Sequence, residues 1–166
     1  MSLISKLSPL TQANLFLQVF GFTKVPMIFY CRPRVLELNE KRAVIKIPYG
    51  RRTKNHLNSM YLGALCVGSD IACGMIAMYI MNKKKLKLSL AFKDLKVEFL
   101  KRPETDVYFT CEDGDKISEM IRKSIETGER INEPVFIKAS ISPEPNAEAY
   151  ATFVLTLSLK DVSKRK

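Results

Sequence analysis

The sequence predicts an α+β fold in which a curved antiparallel sheet wraps around a long central helix, about residues 59–81. Two observations predict it. From Ser59 to Met81 the chain is almost wholly apolar, with Asp70 as its only charged member, and a helix apolar on every side must be buried or lie in lipid. Further on, apolar and polar residues alternate with a period of two, the mark of strands that bury one face. Such strands need an apolar element to cover that face.

The elements follow in order. Ser8-Pro9 reads as an N-cap with proline at the first helical position. Leu10, Ala13, Leu17 and Phe20 recur at helical spacing, and Gly21 is the expected C-terminal cap. After a connection containing Pro26, Arg34–Glu37 and Ala43–Tyr49 read as strands around the turn Asn39-Glu40-Lys41. Gly50–Asn58 is a polar loop, and the apolar helix follows it. Leu86, Leu88, Leu90 and Phe92 then share one strand face, and Leu95, Val97 and Phe99 share one after a single-residue phase shift. A bulge near Lys93-Asp94 accounts for the shift. Pro103 ends that strand, and Val107, Phe109 and Cys111 alternate in the next. Asp115–Thr127 forms a second amphipathic helix with Ile117, Met120, Ile121, Ser124 and Ile125 as its inward stripe and Gly128 as terminator. Val135–Ile141 and Ala149–Leu159 are the last strands, joined by the turn Pro143-Glu144-Pro145-Asn146.

The chain of 166 residues fits one domain, residues 1–166, with 1–30 as the N-terminal helix and connection and 160–166 as a basic tail. Its apolar fraction of 46% and charged fraction of 27% exclude an intrinsically disordered protein. Cys31, Cys66, Cys73 and Cys111 show no C-x-x-C spacing, and His56 is the only histidine. The usual zinc arrangements and a disulfide framework are thereby excluded. Four reduced thiols and no secretory signal at the N-terminus point to a cytoplasmic protein. The net charge of +10 favours a polyanionic partner, whether nucleic acid, acidic lipid, an acidic carrier protein or a phosphate-bearing cofactor.

Three readings of the apolar segment compete. As a helix it would run about 34 Å, enough to cross a bilayer, with Arg51, Arg52, Lys54 and Lys83, Lys84, Lys85 as flanking anchors. A carboxylate at mid-span costs roughly 2.5–3.5 kcal/mol, and small residues such as Gly63, Gly68 and Gly74 dilute the hydrophobicity, although they also suit membrane packing. The second reading is a buried core helix, and the third is that helix carrying a functional acid. The alternating strands favour a core helix, so no transmembrane segment is expected.

The loop and helix start carry a motif. Asn55-His56-Leu57-Asn58-Ser59-Met60-Tyr61-Leu62-Gly63, followed by Asp70, resembles the acyl-CoA thioesterases of the hotdog-fold superfamily, in particular the phenylacetyl-CoA-thioesterase-like branch. In that pattern an asparagine lies six residues before a histidine, two glycines follow the histidine, and an acid lies seven beyond the second glycine. Asn55, Gly63 and Asp70 match the asparagine, second glycine and acid. Tyr61 stands where the histidine would be, and Leu62 where the first glycine would be. The resemblance implies a hotdog fold, a homodimer or dimer of dimers, and a site at the subunit interface, with Asn55 and the helix start facing the partner's Asp70. It implies Asp70, Asn55 and Gly63 as catalytic residues.

The physical chemistry is coherent without the family. Free amides at a helix N-terminus suit the oxyanion of a thioester carbonyl, and a carboxylate can activate water or attack the carbonyl itself. Asp70 lies about 16 Å along the helix from Ser59, so it cannot serve the start of its own helix. Arg51, Arg52 and Lys54 suit the phosphates of coenzyme A or an acidic carrier, and His56, Asn58, Ser59, Tyr61 and Leu62 complete the expected substrate-binding set. No metal and no cofactor are expected, coenzyme A entering only as part of the substrate. Each residue also has a plain structural role open to it. Asn55 can cap or shape a turn, His56 can sit on the surface, Asp70 can be a structural acid, and the basic loop can simply be solvated. Tyr61 and Leu62 keep a second function open, a hotdog module that binds acyl groups without hydrolysing them. A basic nucleic-acid-associated protein is the third reading, but the chain lacks a stacking motif of aromatic and basic residues.

Overall fold

The computed structural model describes residues 7–163, so the basic tail Lys164-Arg165-Lys166 lies outside the described residues. Ten elements follow one another: α1 (Pro9–Thr23), α2 (Pro26–Cys31), β1 (Arg34–Leu38), β2 (Ala43–Ile47), α3 (Leu62–Lys83), β3 (Leu88–Phe99), β4 (Val107–Cys111), α4 (Gly114–Thr127), β5 (Arg130–Ser140) and β6 (Ala151–Asp161). The strands form one antiparallel sheet in the order β1-β2-β4-β5-β6-β3, and α3 packs against it with Ile71, Ala72, Cys73, Ile76, Ala77 and Ile80 in the core. This is the hotdog fold.

The apolar helix is core. Of its most apolar window, 67% is buried inside the protein. Small residues permit this close approach: a Cβ at Gly68 would lie 2.3 Å from the ring of Phe109 on β4. The helix begins at Leu62, not at Ser59, because the preceding residues are spent on other bonds. The Ser59 carbonyl accepts from Asn55 N–H, Met60 N–H donates to the Pro103 carbonyl, and Tyr61 N–H donates to the Thr53 carbonyl. Residues 59–61 are thus pinned to neighbouring loops before the first helical bond forms.

The anticipated bulge is present, as the β3–β6 register shifts between Phe92 and Leu95. Gly128 ends α4 in the left-handed conformation that glycine adopts without penalty. Two further expectations fail. Gly21 does not cap α1, which continues to Thr23; the glycine is buried instead, where a Cβ would lie 2.8 Å from the Phe29 nitrogen. Ile125, assigned to the inward stripe of α4, is exposed, while Ile117, Met120, Ile121 and Ser124 are buried.

The two sheet edges differ. At β1 the backbone of Val35 is paired by a side chain: Asn14 on α1 donates Nδ2–H to the Val35 carbonyl at 2.9 Å and accepts its N–H at 2.8 Å. Gln18 donates to the Pro33 carbonyl beside it. The N-terminal helix therefore covers that edge, as sheets require of long exposed edges. At the opposite edge β3 pairs, among the described residues, only with β6, and Leu95, Phe99 and Leu100 lie exposed along it.

Candidate active site around Asp70

Asp70 projects from the middle of α3 into a space bounded by two other parts of the chain. On one side lies a pocket of about 410 Å³ that it shares with Cys66, Val67 and the β3 residues Phe92 to Leu95. On the other lies a smaller apolar cavity of about 150 Å³, roofed by Leu17 and Phe20 of α1, Val25 of the connection and Ile28 of α2. That cavity shares Met75 and Met78 with a larger apolar cleft of about 630 Å³ between α1, β1 and the end of α3. The carboxylate thus stands between a pocket that carries Lys93 and Asp94 on its β3 wall and a run of apolar space.

Among the described residues the Asp70 carboxylate takes no hydrogen bond and forms no ion pair. Burial without a compensating partner pushes its carboxyl up to about 6, because desolvation penalises the charged form. An acid with that value is ionised near neutrality and remains a strong enough base to accept a proton from water. The neighbouring thiols are held in the opposite role. Burial raises Cys66 and Cys73, and pushes Cys111 up to about 12, so none is a ready thiolate. All four cysteines are free.

The loop before α3 is built on Asn55. Its side-chain oxygen accepts from the amides of Leu57 at 2.9 Å and Ser59 at 3.1 Å, and from the Ser59 hydroxyl at 3.3 Å. Asn55 shapes the turn with its oxygen and leaves its amide NH₂ outside that network. Thr53 ties the loop's other limb, donating to the Pro48 carbonyl at 2.6 Å. Tyr49 donates its hydroxyl to the Asn58 carbonyl at 2.6 Å, holding Asn58 at a φ of 55°. Lys54 donates to the Asn58 side chain at 3.3 Å, His56 is exposed, and Ser59 is buried.

This loop delivers the chain to the helix start, where the amides of Leu62, Gly63 and Ala64 precede the first helical bond, Leu65 N–H to the Tyr61 carbonyl at 3.1 Å. Tyr61 and Leu62 are exposed there. The Tyr61 ring lies over Gly63, so close that a Cβ on the glycine would meet it at 2.5 Å. Arg51, Arg52 and Lys54 are all exposed on the loop, and the Arg52 guanidinium sits 5.3 Å above the ring of Tyr30, a cation–π contact that ties the loop to α2.

Within one chain the structure therefore groups Asn55, Asn58, Ser59, Tyr61, Leu62 and Gly63 at the helix start, with the basic loop beside them. Asp70 is not among them, since it lies about 10 Å further along α3 from Gly63. The residues that a sequence reading passed over are the apolar ones around Asp70 on α1 and α2. The short helix α2 offered little signal beyond Pro26 at its first turn, because six residues are too few to show a period.

Comparison with known proteins agrees with the architecture. No curated protein matches the sequence. Among solved structures, the chain is similar to a protein of unknown function from Pseudomonas aeruginosa described as a "probable thioesterase", with a TM-score of 0.75, 16% identity, and 93% of this chain and 97% of that one covered. A protein of unknown function from Chlorobaculum tepidum gives a TM-score of 0.78 at 10% identity over 92% and 96% of the two chains. A thioesterase family protein from Silicibacter pomeroyi gives 0.61 at 19% identity over 91% and 98%. At such identities the likeness establishes the fold, which this chain shares with proteins described as thioesterases. The sequence itself matches one family model over residues 13–145, and the chain belongs to that family, described as a domain of unknown function, DUF4442.

Proposed function

We propose that this protein hydrolyses acyl thioesters, carried by coenzyme A or an acyl-carrier protein, at sites shared between the two chains of a homodimer or of each half of a dimer of dimers in the cytoplasm. The observation that carries the reading is Asp70, an unpaired carboxylate raised to about 6 at the junction of apolar pockets, in a fold shared with proteins described as thioesterases. A structural acid would be expected to have hydrogen-bond donors around it.

In this reading Asp70 takes a proton from a water whose oxygen attacks the thioester carbonyl. The oxyanion that forms is met by the amides at the α3 start of a second copy, Gly63 among them, and by the free NH₂ of its Asn55. Collapse of the tetrahedral adduct breaks the carbon–sulfur bond. The proton on Asp70 passes to the leaving thiolate, giving a carboxylic acid and a thiol and restoring the carboxylate. Arg51, Arg52 and Lys54 meet the phosphates of the carrier, with His56, Asn58, Ser59, Tyr61 and Leu62 forming the adjoining wall. The free β3 edge, with Leu95 and Phe99 exposed, is where a second copy would extend the sheet and bring the two halves of the site together. The apolar cavity and cleft beyond Met75 and Met78 suit the acyl chain.

One observation favours a second reading, an acyl-binding module without turnover. The Tyr61 ring lies over Gly63, and Leu62 stands where the resembling pattern has a glycine, the residue that permits closest approach to the helix amides. A hydrolysis screen over acyl-CoAs of varied chain length and aromaticity separates the two. Turnover that disappears in Asp70→Asn supports the hydrolase. Saturable binding with no turnover supports the module, and turnover unchanged in Asp70→Asn removes the proposed role of the acid.

A further inference from the structure

The α1–α2 hairpin has an inner and an outer face. The inner face, with Leu17, Phe20, Val25 and Ile28, closes over the cavity beside Asp70. The outer face is apolar as well: Val19 is 54% exposed, Phe22 68% and Met27 55%, with Leu15 and Phe29 at 40%. Leu15, Val19 and Phe22 fall on one stripe of α1, and the Phe22 and Phe29 rings meet edge to face at 5.3 Å, so the patch is contiguous across both helices. Contiguous apolar surface of this kind marks an interaction site, unlike scattered apolar side chains.

The hairpin itself carries charge of one sign only. No Asp or Glu occurs in the sequence before Glu37. Lys24, Arg32 and Arg34 are exposed beside the hairpin, and Arg52 is held over Tyr30 at its edge. From this we infer that the outer face of the α1–α2 hairpin docks on an anionic phospholipid surface, with Phe22, Met27 and Val19 among the acyl chains and the four cations at the headgroups. A second copy of the chain is the poorer occupant, because a two-fold contact here would set these cations against their own images, while the β3 edge offers a pairing surface without that cost. Interfacial helices with an apolar face and a basic border bind anionic lipid through both terms together. Docking would place the roof of the Asp70 cavity at the lipid boundary, where acyl groups are concentrated. It stands independently of any hydrolysis.

The test is co-sedimentation of the full chain with vesicles of phosphatidylcholine alone and of roughly three parts phosphatidylcholine to one of phosphatidylserine. Binding to the mixed vesicles that weakens with added salt is expected, with little binding to the neutral ones. Phe22→Asp/Met27→Asp, at exposed positions, should weaken it at least about tenfold by removing the inserted side chains. Lys24→Glu/Arg34→Glu should weaken it about fivefold per charge on anionic vesicles only, and it leaves the apolar patch untouched should the first variant unfold. No binding of the native chain to the mixed vesicles overturns the inference. So does binding unchanged in both variants, or a loss of oligomer size in Phe22→Asp/Met27→Asp with vesicle binding intact, which would give the patch to a second copy.

Discussion

Replacing Asp70 by asparagine should stabilise the fold near neutral pH and do so much less in acid. The isosteric amide removes a carboxylate that burial makes costly to ionise. In the folded chain the carboxyl is raised from 3.8 to about 6, a difference worth about 3 kcal/mol at most, since each pH unit is about 1.36 kcal/mol. Water reaching the carboxylate from its pocket lowers that figure, so about 1–3 kcal/mol is expected. The sign follows from proton binding. Between the two values the folded chain holds the proton and the unfolded chain has lost it, so stability is full below about pH 4 and falls as the pH rises through about 6. Asp70→Asn escapes that fall. With a urea dependence of about 1–3 kcal/mol per molar, its unfolding midpoint at about pH 7.5 should lie about 1 M above that of the native chain, and the gap should close at about pH 4. An equal gap at both pH values, or a less stable variant at neutral pH, would refute the reasoning and assign Asp70 a structural pairing.

Three further outcomes follow from the packing and the helix start. Gly68→Ala drives a methyl into the ring of the fully buried Phe109 and should cost about 1–3 kcal/mol in denaturant unfolding. Asn14→Ala leaves the N–H and carbonyl of Val35 without their partner; it should cost about 1–3 kcal/mol and speed hydrogen exchange at the Val35 amide. Tyr61→Ala uncovers the backbone at Gly63 and should raise the turnover of any thioester by a few-fold with stability unchanged, as expected for an exposed side chain. A fall in turnover would show that the tyrosine's contact with the substrate outweighs its cover over Gly63.

Much of the fold is legible in the residues because its signals are local and strong. The apolar run around Asp70 announces a buried helix, the phase change between Phe92 and Leu95 announces a bulge, and Gly128 marks a helix end. The errors arise where a tertiary contact overrides a local preference. Gly21 has the character of a cap but is a glycine because α2 packs against it. Ser59 has the character of a helix start but is drawn into the Asn55 turn, which delays α3 to Leu62. The candidate site was legible in part. The lone carboxylate in an apolar run pointed to Asp70, and the spacing from Asn55 to Gly63 pointed to the helix start. What could not be read was the α1–α2 roof, since nothing in a linear pattern says that Phe20 and Ile28 will lie across the cavity from Asp70.

Mixing two inactive variants tests most directly the claim that Asp70 of one chain serves the helix start of another. Asp70→Asn lacks the base but keeps an intact helix start. Gly63→Val keeps the base but sets a branched side chain where the Tyr61 ring lies over the helix start. If each site draws on two chains, a mixed dimer contains one site with both parts sound. The account predicts that each variant alone hydrolyses acyl-CoA at least about a hundredfold more slowly than the native chain, and that co-refolding the two restores a substantial part of the activity. Mixed dimers that form and remain inactive would contradict it, as would undiminished hydrolysis by Asp70→Asn alone.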